Sequence, residues 1–83
     1  MSTNDTSVHL AIDLGGSSGR VIAGFLRQGR LELEQVHRFA NDAVRIQNST
    51  QWGLAQLWQE ILTGLRTASD QYSNIASVGV DSW

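Results

Sequence analysis

Between residue 8 and residue 39 the apolar residues fall at strand spacing in three stretches. Val8, Leu10, Ile12 and Leu14 share one side of an extended backbone, and His9, Ala11 and Asp13 share the other. This spacing predicts a first strand over Val8 to Leu14. Arg20 to Arg27, "RVIAGFLR", is apolar at both parities: Val21, Ala23 and Phe25 against Ile22, Gly24 and Leu26. Such a run predicts a central strand covered on both faces. Gln28-Gly29 predicts a two-residue hairpin turn, with the glycine supplying positive φ. Leu31 and Leu33 then alternate with Glu32 and Glu34, which predicts a third strand, Leu31 to Phe39, with one wet face and a place near a sheet edge. Ala40 to Trp52 is polar and without a period, and it reads as a loop.

The period then changes. Leu54, Leu57, Trp58, Ile61, Leu62, Leu65 and Ala68 recur three and four apart, the pattern of an amphipathic helix. Gly53 stands at its N-cap position. Gly64, inside the helix, costs about 1 kcal/mol against alanine. It reads as a close backbone approach or as a tolerated defect. Asp70 to Asn74 breaks the pattern. Ile75 to Trp83, "IASVGVDSW", returns to a strand with Ala76, Val78 and Val80 on one face.

The element order is β-β-β-α-β, an α/β arrangement. Three strands on short connections run antiparallel. The helix crosses over and returns a fourth strand parallel to the first, a right-handed unit. The predicted strand order is 3-2-1-4, with the reversal of direction between strands one and four. Ligands in open α/β sheets bind outside the carboxyl ends of strands at such a point. Asp13 and Asp81 both fall at those ends and should flank one crevice.

Composition narrows the class. The chain has 83 residues, room for one domain. A chain this short buries only about 60–65% of its unfolded surface. With 41% hydrophobic residues and no proline it reads as globular. Met1 to Ser7 reads as a disordered tail without the apolar core of a secretory signal. No cysteine is present, which excludes disulfides and thiolate metal sites and suits a reducing compartment; the cytoplasm is the expectation. A net charge of −2 offers no footprint for nucleic acid. No apolar run approaches the roughly 20 residues of a membrane span.

The candidate chemistry lies in "AIDLGGSSGR", Ala11 to Arg20. Gly15 to Gly19 matches G-x-S-x-G, the nucleophile elbow, but that motif needs a helix after it, and a strand follows here. His37 is the only histidine downstream. The dinucleotide fingerprint fails on spacing, and the P-loop lacks its lysine. A phosphate-binding hairpin remains, beside the plain reading of a glycine-serine turn. Successive backbone N–H groups can form an anion-binding concavity, the hydroxyls of Ser17 and Ser18 add donors, and Arg20 adds a charged fork. Asp13 would hold a hydrated Mg²⁺. His9 and His37 show no metal pattern and read as structural. Trp52 and Trp58 read as core or boundary aromatics.

Four stretches carry a family resemblance: "AIDLGGSSGRV", "VHRFAN", Trp52 with "LW.EI..GL", and "SVGVDSW". Together they lie within Val8 to Trp83. The first resembles the leading phosphate motif of the sugar kinase, chaperone and actin ATPase superfamily. The set is similar to the carbohydrate kinase group of glycerol kinase and xylulokinase, and within it to the rhamnulokinase family. The resemblance implies a ribonuclease H-like (actin-like ATPase) fold, present here in part over residues 8–83. It implies transfer of the ATP γ-phosphoryl group to a ketose, L-rhamnulose, with fuculose and xylulose kinases as the alternatives. A non-catalytic module that binds nucleotide phosphates is the alternative of another class. Carried residue by residue, Gly16, Ser17, Ser18, Gly19 and Arg20 would contact ATP phosphates. Asp13 would organise Mg²⁺. Asp81, Ser82 and Trp83 would reach the sugar side of the cleft. The family's catalytic aspartate has no counterpart here, so the chain alone should not turn over. A sheet ending at its fourth strand should also expose apolar surface and self-associate through its edge.

Overall fold

A computed structural model of the chain describes residues 7–40, 43–46, 49–52 and 54–82. The expectations placed on the tail before residue 7, on Gly53 as N-cap and on Trp83 lie outside the described residues. Three strands come first: β1 (Val8–Leu14), β2 (Ser18–Arg27) and β3 (Arg30–Ala40). A short pair follows, β4 (Ala43–Ile46) and β5 (Ser49–Trp52). The helix α1 (Leu54–Gln71) then leads to β6 (Ile75–Ser82).

The main sheet has four strands in the order β3-β2-β1-β6, the expected 3-2-1-4 with β6 as the fourth strand. β1 pairs antiparallel with β2 and parallel with β6, and β2 pairs antiparallel with β3. The predicted loop from Ala40 to Trp52 is corrected. Its centre is a two-stranded antiparallel hairpin, β4 with β5, running from the Ala43–Trp52 pair to the Ile46–Ser49 pair. Strands of four residues are too short to show a period, so alternation could not reveal them.

One face of the sheet carries α1. Val8, Leu10, Ile12 and Leu14 of β1 are buried there with Val21, Ala23 and Phe25 of β2 and Phe39 of β3. Leu57, Ile61, Leu65 and Ala68 meet them from the helix. Gly64 resolves as the close approach: a Cβ at that position would sit 2.5 Å from Val21 Cγ2, and Val21 is fully buried. On the β3 side, His37 Nε2 and Glu60 Oε1 join sheet to helix at 2.8 Å. Past the helix, Tyr72 donates its hydroxyl to the Glu34 carboxylate and packs against Phe25, ring centroids 6.0 Å apart. Burial, and then the bond to the neighbouring carboxylate, pushes the Tyr72 phenol up to about 12.

The opposite face has no helix among the described residues. The expected two-sided cover of β2 is therefore corrected: Val21, Ala23 and Phe25 are covered, while Leu26 stands 59% exposed beside Leu31 at 68% and Leu33 at 67%. The register sets Leu26 opposite Leu31 and Gly24 opposite Leu33, which makes one apolar patch on the open face. The alternation in β3 is real, but its leucines face the open side. Glu32 and Glu34 stand opposite Phe25 and Ala23 on the helix side. There Arg27 pairs with Glu32 at 3.4 Å and covers the Phe25 ring. Trp58 is exposed.

Candidate functional site

β1 ends at Leu14 and β2 begins at Ser18, so the glycine-rich segment is a short hairpin. The Gly15 amide donates to the Ser18 carbonyl at 2.9 Å, and Leu14 pairs with Gly19. Ser18, Gly19 and Arg20 are thus strand residues, each paired with β3. Only residues 15–17 lie between the strands. Among the described residues the left-handed backbone region holds Gln28 and Gly29. The glycine-rich hairpin therefore does not use glycine to reach positive φ. Space accounts for two of its glycines. A Cβ on Gly19 would collide with the buried Phe39 ring, and one on Gly15 would sit 3.1 Å from the Ser18 carbonyl oxygen. Gly16 and Ser17 are exposed at the tip.

Next to the hairpin a row of charge crosses the open face. Asp13 stands opposite Arg20 across β1 and β2. Asp81 stands beside Asp13 across β1 and β6, and Arg38 opposite Arg20 across β2 and β3. Read along the sheet, the order is Arg38, Arg20, Asp13, Asp81. Arg20 Nη2 donates to Asp13 Oδ2, with the two side chains 43% and 34% exposed. An ion pair this wet contributes about 0–1 kcal/mol. Its main effect is to fix where the guanidinium and the carboxylate stand. The structure thus brings Asp13, Arg20 and Asp81 together at the end of β1 that carries the hairpin. It places Ser18 and Gly19 in the strand beside them. His9 bonds Ser77 across β1 and β6, Nδ1 to Oγ at 2.6 Å, on the same face.

Arg38 escaped the sequence reading for a definite reason. Counting back from the Gln28-Gly29 turn pairs Arg27 with Arg30 and Ile22 with Gln35. Continued without interruption, that count puts His37 opposite Arg20. A register shift between Ile22 and Val21 adds one residue to β3, Val36, so Val21 meets His37 and Arg20 meets Arg38. Bulges of this kind re-aim side chains and are not visible in an alternation pattern.

The donors at this site suit a hydrated divalent cation. Asp13 offers a half-exposed carboxylate, and no group of three or more His, Cys, Asp or Glu residues forms among the described residues. Mg²⁺ keeps most of its water and takes one or two carboxylates, so the residues present fit it.

A mixed sheet in the order 3-2-1-4 with one helix is consistent with part of a sugar kinase domain. Within that class the likeness is to rhamnulokinase, and it runs through nine tenths of the chain. Rhamnulokinase of Oceanobacillus iheyensis is 47% identical over 75 residues, 90% of this chain and 16% of the relative. Rhamnulokinase of Pectobacterium carotovorum is 43% identical over 76 residues, 89% of the chain and 15% of the relative. Rhamnulokinase of Bacillus subtilis is 36% identical over 76 residues, 92% of the chain and 16% of the relative. The chain therefore spans about a sixth of the length of these curated relatives. No family model matches it. No helix among the described residues is long and apolar enough to cross a membrane.

Proposed function

We propose that these residues form the nucleotide-phosphate side of a ketose kinase. The reaction is transfer of the ATP γ-phosphoryl group to L-rhamnulose, giving L-rhamnulose 1-phosphate. The observation that carries this reading is the Asp13–Arg20 pair fixed beside the glycine hairpin, with Asp81 next to it on β6. Phosphoryl transfer is mostly positioning and charge stabilisation. Gly16 and Ser17 at the tip, with Ser18, Gly19 and Arg20 behind them, would hold the phosphates. Asp13 would hold Mg²⁺ through water, and the bound ion would neutralise charge on the phosphates. Asp81 and Trp83 would face the sugar. The likeness to rhamnulokinases supports rhamnulose over other ketoses.

On this reading the sheet is part of a ribonuclease H-like domain and the enzyme works in the cytoplasm. On the family resemblance the base for the sugar hydroxyl has no counterpart in these residues, so the chain alone should bind and not turn over. The sheet edge and the open apolar face are then where further protein packs, another copy of the chain included.

The test is an NMR titration of the ¹⁵N-labelled chain with Mg·ATP. The amides of residues 15–20 should shift and saturate in the millimolar range, and Arg20→Ala should weaken the response. Amides that stay still up to about 10 mM nucleotide, a concentration at which even about 3 kcal/mol of binding would register, overturn the reading.

A further inference from the structure

We propose that Arg38 is the second arm of the anion subsite begun by Arg20, and that the two guanidinium groups together take a polyphosphate chain. The inference rests on the phosphate reading above and adds to it a residue on a different strand.

Arg20 and Arg38 are register partners on adjacent strands. Both project from the open face, because their chain neighbours Val21 and Phe39 are buried against the helix side. Adjacent strands lie about 4.8 Å apart, so two forks stand side by side. Like charges directly opposite one another destabilise a sheet. Asp13 offsets this only in part, since it pairs with Arg20 and lies a strand further from Arg38. Arg38 makes no ion pair among the described residues. An anion bridging the two arginines would offset that cost.

The bulge at Val36 strengthens the case. A regular ladder would set His37, not Arg38, against Arg20. The extra residue also turns His37 toward Glu60 and lays Phe39 over Gly19. One local irregularity thus joins the helix, closes the packing over the hairpin strand and doubles the positive charge beside the hairpin.

The row also has a direction. An anion meeting Arg20 alone finds its charge already answered by Asp13. With Arg38 the β3 end of the row carries surplus positive charge, and the carboxylates lie at the β6 end. A phosphate chain is drawn over β2 and β3, with any cation it chelates turned toward Asp13. The chain has six arginines and no lysine, and each arginine has an Nε–Hε group that reports on this directly.

The experiment follows those six signals by ¹⁵N NMR while the whole chain is titrated with sodium tripolyphosphate at constant ionic strength. Mg·ATP and inorganic phosphate serve as parallel arms. Arg20 and Arg38 should shift together on one saturation curve, more tightly for tripolyphosphate and Mg·ATP than for inorganic phosphate. Arg38→Gln should weaken tripolyphosphate about tenfold, the size of one charge-assisted hydrogen bond. Arg38→Lys should fall between, retaining charge without the fork. Arg30→Gln, which removes an exposed cation from the same strand, should change affinity by less than about twofold. If Arg20 and the hairpin amides saturate while Arg38 stays still, the inference fails and the phosphate reading stands. If all six signals move in proportion, or Arg30→Gln weakens binding as much as Arg38→Gln, binding is diffuse electrostatics and the inference is overturned. If neither Arg20 nor the hairpin responds in any arm, the phosphate reading falls and the inference with it.

Discussion

β2 turns sharply at both ends, and glycine serves a different purpose at each. At its C-terminal end the chain reverses through Gln28 and Gly29, at φ 53° and 78°. Both central residues are left-handed, as a type I′ hairpin requires, and a Cβ on Gly29 would meet nothing within 4 Å. Conformation alone dictates glycine there. At the N-terminal end the hairpin is glycine-rich, yet the left-handed residues found among the described residues, Gln28 and Gly29, lie outside it. Its Gly19 is buried beneath the Phe39 ring and has no room for a side chain. Glycine content by itself therefore does not mark a phosphate cradle. What separates the two turns is their surroundings. The Gln28-Gly29 turn, flanked by Arg27 and Arg30, leads on the open face into an apolar patch, whereas on that face the Gly15–Ser17 segment stands beside two acids and two arginines.

Gly19→Ala tests this contrast most severely. The added methyl must displace a buried ring, and overpacking of this kind costs about 1–3 kcal/mol. A loss of about 2 kcal/mol is expected, read as a lower urea midpoint at unchanged m-value by tryptophan fluorescence. A midpoint equal to that of the parent chain would show that Phe39 does not hold this position, and the distinction between the two turns would collapse.

Gly64→Ala extends the same logic to a helix, with a smaller expected effect. Alanine gains about 1 kcal/mol of helix propensity. Against that, its Cβ would lie 2.5 Å from Val21 Cγ2 in the fully buried layer. Overpacking outweighs propensity, and a net loss of about 1 kcal/mol is expected. A double-mutant cycle with Val21→Ala isolates the clash. Opening that site should make Gly64→Ala neutral or stabilising, a coupling of about 1–2 kcal/mol. Strict additivity would mean that helix and strand do not meet at this pair.

What the sequence disclosed follows from the same difference between conformation and surroundings. Large apolar residues at every second position of Val8–Leu14 and the three-four spacing from Leu54 to Ala68 are local signals, and both elements lie where those signals put them. The sheet order followed from connection lengths. The Gln28-Gly29 turn was legible because its requirement is intrinsic to the backbone. The reason for Gly19 was not, since it depends on Phe39, twenty residues away, arriving over it. Arg38 was hidden by the bulge at Val36, and β4 and β5 by their shortness. Which face of β2 is covered was likewise not local: Ile22 and Leu26 are as apolar as Val21 and Phe25, and only the position of α1 separates them. Asp13 and Arg20 were legible as chemistry because they border the hairpin in sequence and meet across it in space.

The smallest effect belongs to the Gln28-Gly29 turn, and it discriminates best. Gly29→Ala forces a Cβ into the left-handed region at a cost of about 1–2 kcal/mol. The stiffer unfolded chain returns about 0.4–1 kcal/mol, which leaves a net loss of about 1 kcal/mol or less. Gly29→Asn should cost only a few tenths, because asparagine tolerates left-handed φ by local hydrogen bonding and the position is open. At Gly19 the ranking must reverse. Asparagine is larger than alanine, its conformational tolerance is of no use in a strand, and it should be the worse of the two. Urea midpoints for the four variants therefore form a crossed pattern, with asparagine the milder change at 29 and the harsher at 19. Parallel rankings at the two positions would mean that both turns constrain glycine in the same way, and the separation drawn from Phe39 would have to be abandoned.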